Sequence, residues 1–149
     1  MKPTDEQASA WTEAFDSGKF VRKSSEFRDS ISKGGAFAVE SGRYHLYISH
    51  ACPWAHRTLI MRTLLGLEDH ISVDVVDWRM NADGSWSFNP DEEGATAETV
   101  NGESSLEGIY NRAFEGWNES LSIGTVPVLW DKKHATIVNN ESREIIRMF

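Results

Sequence analysis

A single cysteine is the first residue here whose type and setting suit covalent chemistry. Cys52 is the only cysteine among 149 residues, and Pro53 follows it directly. An isolated cysteine is commonly a small buried hydrophobe. Proline, however, favours the first position of a helix, where backbone N–H groups and the positive dipole end stabilise a thiolate. Arg57, about one turn further on, adds positive charge. The sequence therefore predicts that Cys52 is a nucleophile.

Three histidines near Cys52 raise the question of a metal site. The spacing of His50, Cys52 and His56 is compatible with metal ligands, and His45 lies a little upstream. A closed metal site takes four ligands, and no fourth ligand occurs at a suitable spacing. The charge of Arg57 also opposes a bound cation. We expect no metal, and interpret His45 and His50 as strand and loop residues with ordinary hydrogen bonds.

The Val126-Pro127 step is a second candidate feature. Only about 5% of X-Pro bonds in folded proteins are cis, so the sequence alone favours trans. In a fold where this proline opens a strand facing the Cys52 loop, a cis bond exposes the N–H and C=O of Val126. Those groups suit an extended peptide that binds like an added strand.

Glu141 and Ser142 stand at the expected start of the last helix. One interpretation is simple helix capping, which needs no ligand. The other is an anion site, in which Ser142 donates to a carboxylate and Glu141 accepts from an ammonium group. The spacing favours neither interpretation over the other.

One loop tryptophan is a weaker candidate for ligand contact. Trp86 follows the second predicted strand, in a loop that leaves the same sheet edge as Cys52. Loop tryptophans more often pack on their own domain than on a ligand.

Hydrophobic periodicity predicts the elements that position these residues. The predicted order is strand 43–49, helix from Pro53 to Gly66, strand 71–78, a weakly indicated helix 106–117, a hairpin of 127–131 with 135–139, and a helix after Asn139–Ser142. This is the βαβαββα order of a thioredoxin-like α/β domain. Cys52 then lies where the first strand gives way to the first helix.

Composition and charge limit the class of protein. The chain is 40% hydrophobic and 26% charged, with a formal charge of −8, which suits one globular domain. An acidic chain is a poor match for nucleic acid or an anionic membrane surface. No apolar run is long enough to cross a membrane, and the first residues are too polar for a secretory signal. One cysteine excludes an internal disulfide, so we expect a cytoplasmic protein.

The chain divides into an arm and a domain. Residues 1–42 show no clear period and are expected to lie on the domain formed by 43–149. Nearly all of the negative charge falls in 91–122, which has eight acidic residues and one basic residue. Within it, about 89–105 is rich in Gly, Ser, Thr and acidic residues and predicts a solvated acidic insert.

Several motifs in order resemble one known family. They are SHACPWAHR at 49–57, VDWRM, GSWSF, TVPVLWDKK and IVNNESREIIRMF, with GKFVRKSSEFRDSI upstream in the arm. Together they closely resemble the glutathionyl-hydroquinone reductases, which are Xi-class, omega-like glutathione transferases. The resemblance implies a cysteine enzyme that reduces S-glutathionyl hydroquinones through an enzyme–glutathione mixed disulfide, with glutathione as co-substrate.

The resemblance also assigns roles to residues of this chain. Cys52 is then the nucleophile, and the glutathione contacts fall on Trp86, Arg112, Val126, Pro127, Glu141 and Ser142. Val126 pairs with the cysteinyl part of glutathione through its backbone. Glu141 and Ser142 hold the γ-glutamyl end, and Trp86 packs on the ligand. Arg112 is the one arginine available in the helix before the Val-Pro strand.

The chain departs from the family at its end and before the Val-Pro strand. The family carries a second, all-helical domain that forms the hydroquinone pocket and much of the dimer contact, and this chain stops at Phe149. A Gly-Arg-Val step of the family reads SLSIGTVPV here. A homodimer stays open. So do two further functions, a glutathione-binding module without turnover and a glutaredoxin-like reductase of glutathionylated substrates.

Overall fold

The computed structural model describes residues 15–16, 19–20, 25–81, 84–115, 117 and 124–149. The remaining arm residues and the SLSI stretch that precedes Gly124 lie outside the described residues. The elements are β1 Phe15–Asp16, β2 Lys19–Phe20, β3 Tyr44–Ile48, α1 Pro53–Leu64, β4 Ile71–Val75, α2 Leu106–Ala113, β5 Val128–Asp131, β6 Thr136–Asn139 and α3 Ser142–Met148. In the described part of the chain, no helix is long and apolar enough to cross a membrane.

A four-stranded mixed sheet forms the centre of the fold. Its strand order is β4-β3-β5-β6. Strand β3 runs parallel to β4 and antiparallel to β5, which pairs antiparallel with β6, while β1 and β2 form a separate short ribbon. Helices α1 and α3 pack against each other. The predicted thioredoxin-like βαβαββα arrangement is confirmed.

Strand β3 is buried on both faces, although its alternating sequence predicts one polar face. All five of its residues are buried. His45 hydrogen-bonds Ser72 at 2.8 Å, and the Tyr47 ring packs against Phe88 and Trp130. The polar side chains of this strand have internal partners, which is how a central strand keeps an alternating sequence.

Helix α1 begins at the predicted Pro53 and ends at Leu64, two residues before the predicted Gly66. Cys52 is its N-cap and Pro53 its first residue, and the helix ends just before Gly66, which has φ +65°. The N–H groups of Leu65 and Gly66 donate to the carbonyls of Met61 and Thr63, respectively, and so satisfy the last turn. Local chemistry therefore sets both ends of the element that carries the cysteine.

Strand β4 ends at Val75, three residues earlier than predicted. The N–H of Val76 still donates to the Ile48 carbonyl at 2.8 Å, but the N–H of Asp77 donates to the Ser87 carbonyl at 2.8 Å. The chain thus leaves the sheet to meet the loop that contains Trp86.

The acidic insert is packed on the sheet and is not simply a solvated loop. The N–H of Thr96 donates to the Val75 carbonyl, and the N–H of Val75 donates to Thr96 Oγ1, both at 2.9 Å. The N–H of Thr99 donates to Asp74 Oδ2 at 2.7 Å, and Tyr47 donates to Glu98 Oε1 at 2.6 Å. The insert therefore covers the outer edge of β4 at Val75 and is held to the sheet by Asp74 and Tyr47.

The last part of the arm covers the opposite edge of the sheet. The N–H of Asp29 donates to the Val138 carbonyl at 3.0 Å, and the N–H of Asn140 donates to the Phe27 carbonyl at 3.1 Å. Arg28 lies opposite Asn139 in this antiparallel pairing. In this part of the arm, the backbone acts as an additional strand beside β6.

Candidate functional site

Cys52 lies at the junction of β3 and α1, half-buried and with extended backbone (φ −98°, ψ 113°). Its N–H donates to the Ser49 carbonyl at 3.1 Å, and its carbonyl accepts from the N–H of His56 at 2.9 Å. The sulfur is thus held at the N-terminus of a twelve-residue helix.

The Val126-Pro127 bond is cis, and it lies against the cysteine. Cys52 Sγ is 3.6 Å from the Val126 carbonyl oxygen, within thiol hydrogen-bond distance. The structure therefore brings together two of the residues that sequence reasoning selected, 74 positions apart in the chain.

Tyr110 is a residue of this site that sequence reasoning missed. Its hydroxyl donates to the Thr125 carbonyl at 2.8 Å and lies 3.2 Å from the Thr125 N–H. Asn140 Nδ2 donates to the same hydroxyl at 3.1 Å. Burial is the main cause that raises the pKa of Tyr110, so its hydroxyl is neutral. Tyr110 joins the segment before Val126 to the segment before Glu141.

Glu141 and Ser142 form a second group with Arg57 of helix α1. Arg57 Nε donates to Ser142 Oγ at 3.0 Å, and Nη2 donates to the same oxygen. Arg57 Nη2 also lies 3.9 Å from Glu141 Oε1. Glu141 caps α3 by accepting from the N–H of Arg143 at 3.4 Å. The capping interpretation of Glu141 is therefore correct, and its carboxylate also faces a cation.

The arm reaches this second group. Ser25 Oγ donates to Glu141 Oε2 at 3.3 Å. Arg28 forms an ion pair with Glu144, and hydrogen bonds from Arg28, then Asn139, lower the pKa of Glu144 to about 2. This part of the arm is therefore tied to the N-cap and the first turn of α3.

Trp86 and Arg112 have other contacts in this structure. Trp86 is half-buried against the hydrophobic core, and its carbonyl accepts from the N–H of Leu106 at 2.8 Å. Arg112 forms an ion pair with Glu103 and donates to the Asn101 carbonyl at 3.3 Å. Trp86 therefore connects its loop to α2, Arg112 connects α2 to the acidic insert, and neither of these contacts reaches Cys52 or Ser142.

His45 lies in a strand and His50 in a turn, the positions predicted for them. His45 is completely buried between Ser72 and Asp74, and its Nε2 is 3.2 Å from Asp74 Oδ2. His50 is exposed in the turn before Cys52. Within the described ranges, no group of three or more His, Cys, Asp or Glu residues is arranged to hold a metal ion.

The structure is a thioredoxin-like domain with a cysteine at the start of its first helix and a cis-proline facing that cysteine. The family model for the N-terminal domain of glutathione S-transferases matches residues 51–149, well over half of the chain. The chain belongs to this family.

Similar proteins indicate to which branch of the glutathione S-transferase family the chain is related. Glutathionyl-hydroquinone reductase YqjG of Escherichia coli is 50% identical over 140 residues, covering 89% of this chain and 42% of that protein. The crystal structure of the glutathione S-transferase Xi of Phanerochaete chrysosporium superposes with a TM-score of 0.81 at 48% identity, covering 87% of this chain and 43% of that one. The glutathione-bound structure of YqjG gives a TM-score of 0.76 at 48% identity, covering 82% and 41%.

These comparisons confirm the resemblance inferred from the motifs. The chain spans about two fifths of the length of these relatives. What it matches is their N-terminal, thioredoxin-like part.

Proposed function

We propose that this chain is the glutathione-binding half of a glutathionyl-hydroquinone reductase, with Cys52 as its nucleophile. The observation that carries the proposal is the position of Cys52 Sγ, at the N-terminus of α1 and 3.6 Å from the Val126 carbonyl. A sulfur nucleophile is held there at the start of a helix, and an extended cysteinyl peptide has a backbone group to pair with beside it. Two relatives, 50% and 45% identical to this chain, are named glutathionyl-hydroquinone reductases.

The reaction proceeds in two displacements at sulfur. The Cys52 thiolate attacks the glutathionyl sulfur of the thioether and forms an S–S bond. The C–S bond breaks, its electron pair goes to the ring carbon, and that carbon takes a proton to give the hydroquinone. A second glutathione thiolate then attacks the mixed disulfide, forming oxidised glutathione and releasing the Cys52 thiolate.

We propose that the remaining site residues hold glutathione. The Val126 backbone, next to Pro127, pairs with the cysteinyl unit, and Glu141 and Ser142 bind the γ-glutamyl end. Trp86 packs on the ligand, and Arg112 turns from Glu103 towards it. The exposure of Arg112, about half of its side chain, is compatible with that movement.

The remainder of the proposal concerns the whole protein. Because the chain spans two fifths of its relatives, we place the hydroquinone pocket and the dimer contact on an all-helical domain of the complete protein. Ile60 and Leu64 of α1 are exposed apolar side chains. Such side chains are typical of a surface that contacts another domain. We place the protein in the cytoplasm, without a nucleic-acid or membrane partner and without a metal.

Incubation with oxidised glutathione tests the nucleophile. Mass spectrometry of the intact chain is expected to show one glutathionyl adduct, located on Cys52 by peptide mapping and reversed by reduced glutathione. The Cys52→Ala variant is expected to show none, because the chain has no other thiol. A chain that is folded and gives no adduct would contradict the proposal.

Turnover distinguishes the alternatives. Glutathione-dependent reduction of a glutathionyl hydroquinone supports the reductase. An adduct without turnover supports a glutathione-binding module. Reduction of a glutathionylated protein, but not of the hydroquinone thioether, supports a glutaredoxin-like reductase.

A further inference from the structure

Arg57 of α1 contacts Ser142 and lies near Glu141, the two residues proposed to bind the γ-glutamyl group. Two N–H groups of Arg57 donate to the same oxygen, Ser142 Oγ. A hydroxyl oxygen has two acceptor positions, and Arg57 fills both. The hydrogen of the Ser142 hydroxyl is therefore directed to another acceptor, and the guanidinium polarises it as a stronger donor.

Burial shows which of these groups a ligand meets first. Ser142 is completely buried and the Glu141 side chain is 7% exposed, whereas the Arg57 side chain is 41% exposed. A carboxylate that enters from solvent therefore meets the Arg57 guanidinium before it meets Ser142. Arg57 also lies on α1, about 7 Å along the helix axis from the N-cap residue Cys52. One rigid element thus fixes the distance between the sulfur and this cation.

The charges around Arg57 match one end of glutathione. Arg57 and Glu141 place a guanidinium and a carboxylate 3.9 Å apart. An α-amino acid end presents the complementary pair, a carboxylate next to an ammonium group. The planar guanidinium suits a carboxylate because it presents several N–H donors in a fixed geometry.

We infer that Arg57 is a specificity-determining residue that binds the α-carboxylate of the γ-glutamyl group. It does so directly and through the hydroxyl of Ser142, which it holds as a donor, while Glu141 takes the ammonium group. This inference rests on the proposed function and adds a residue to its ligand site.

Calorimetric titration with two ligands tests the inference. They are reduced glutathione and 4-aminobutanoyl-cysteinylglycine, which lacks only the α-carboxylate. The unaltered chain is expected to prefer glutathione by about 10- to 100-fold, the ratio typical of charge-assisted hydrogen bonds. In Arg57→Gln that preference is expected to fall to about 3-fold or less, and Arg57→Lys, which keeps the charge without the planar group, is expected to retain part of it.

Arg62→Gln is the matched control. Arg62 lies on the same helix and donates to the Ile71 carbonyl at 2.6 Å and the Glu68 carbonyl at 3.0 Å. Its replacement is expected to leave the preference between the two ligands unchanged.

The outcomes separate the inference from the proposed function. If Arg57→Gln weakens both ligands equally, or neither, the inference is wrong while the proposed function stands. If the unaltered chain binds neither ligand, the proposed function fails and the inference fails with it. Should Arg57→Gln not fold, the ratio measured for Arg57→Lys decides, and an undiminished preference would overturn the inference.

Discussion

At the scale of single residues, Tyr110 shows how one buried hydroxyl positions two parts of a site. It holds the N–H and C=O of Thr125, immediately before Val126, and the amide of Asn140, immediately before Glu141. Buried polar groups that lose a partner destabilise a protein more than the lost bond alone suggests, because they stay desolvated. Tyr110 therefore acts on the proposed ligand through the backbone that it fixes, without touching it.

Replacement of Tyr110 by Phe is expected to weaken both folding and glutathione binding. The ring remains, but Thr125 and Asn140 lose their shared partner, at a cost of about 1–3 kcal/mol in the free energy of unfolding. Urea unfolding and calorimetric titration with glutathione measure the two effects. Tyr44→Phe is the control, since Tyr44 donates to the Ala38 carbonyl at 2.6 Å at the start of β3. It is expected to lower stability only, and equal losses of binding in both variants would refute the role of Tyr110.

At the scale of elements, the acidic insert depends on carboxylates that are ionised in the folded state. Glu98 accepts from the N–H groups of Val100, Asn101 and Glu103 and from the Tyr47 hydroxyl. Burial alone would raise the pKa of Glu98, but these hydrogen bonds outweigh it and lower the pKa. A carboxyl whose pKa is lower in the folded state stabilises the fold above its unfolded pKa, and that stability is lost as the pH falls through the folded pKa.

Replacement of Glu98 by Gln is expected to destabilise the chain in a pH-dependent way. At pH 7 the loss is about 1–3 kcal/mol in the free energy of unfolding, since the charge-assisted hydrogen bonds are weakened. As the pH falls from the ordinary glutamate pKa through the lowered pKa of folded Glu98, the difference from the unaltered chain is expected to shrink, because Glu98 of the unaltered chain then becomes protonated as well. Urea unfolding at a series of pH values measures this. Glu93→Gln, at an exposed position of the same insert, serves as control, and a pH-independent loss for Glu98→Gln would contradict the assignment.

The sequence predicted the elements whose causes are local. Cys52-Pro53 and Gly66 mark the ends of α1, and the hairpin of β5 and β6 follows from two β-rich runs around a short polar turn. The sequence motifs indicated the candidate site residues, but they did not indicate which other residues these contact. Arg57 meets Ser142 from 85 positions away, and the burial of both faces of β3 depends on segments that have no regular period. Such pairings follow from tertiary packing, which hydrophobic periodicity does not encode.

At the scale of the whole molecule, α1 presents apolar side chains to solvent. Ile60 is 46% exposed and Leu64, one turn further on, 75%. Leu65 follows at 50%. Adjacent exposed apolar side chains on one helix are typical of a contact surface. This surface lies on the same helix as Cys52 and Arg57, so a partner seated on it would also stabilise the element that carries the chemistry.

The chain in its 149-residue form is therefore expected to self-associate as its concentration rises. The double variant Ile60→Glu with Leu64→Glu is expected to stay monomeric in sedimentation velocity, because charge replaces apolar contact, and to keep its glutathionyl adduct on Cys52. Val39→Glu is the control, since Val39 is 76% exposed outside this helix. A chain that is monomeric at every concentration, or association that survives the double variant, would contradict this role for α1.

The two covered edges of the sheet restrict how copies of this protein can assemble. The backbone of the arm pairs along β6, and Thr96 of the insert takes the outer edge of β4. Both outer strands of the sheet thus have part of their backbone hydrogen bonding already satisfied within the chain, as in proteins that resist strand-to-strand aggregation. Cross-β growth through this sheet would first require the arm or the insert to detach. Native assembly is therefore left to side-chain contacts.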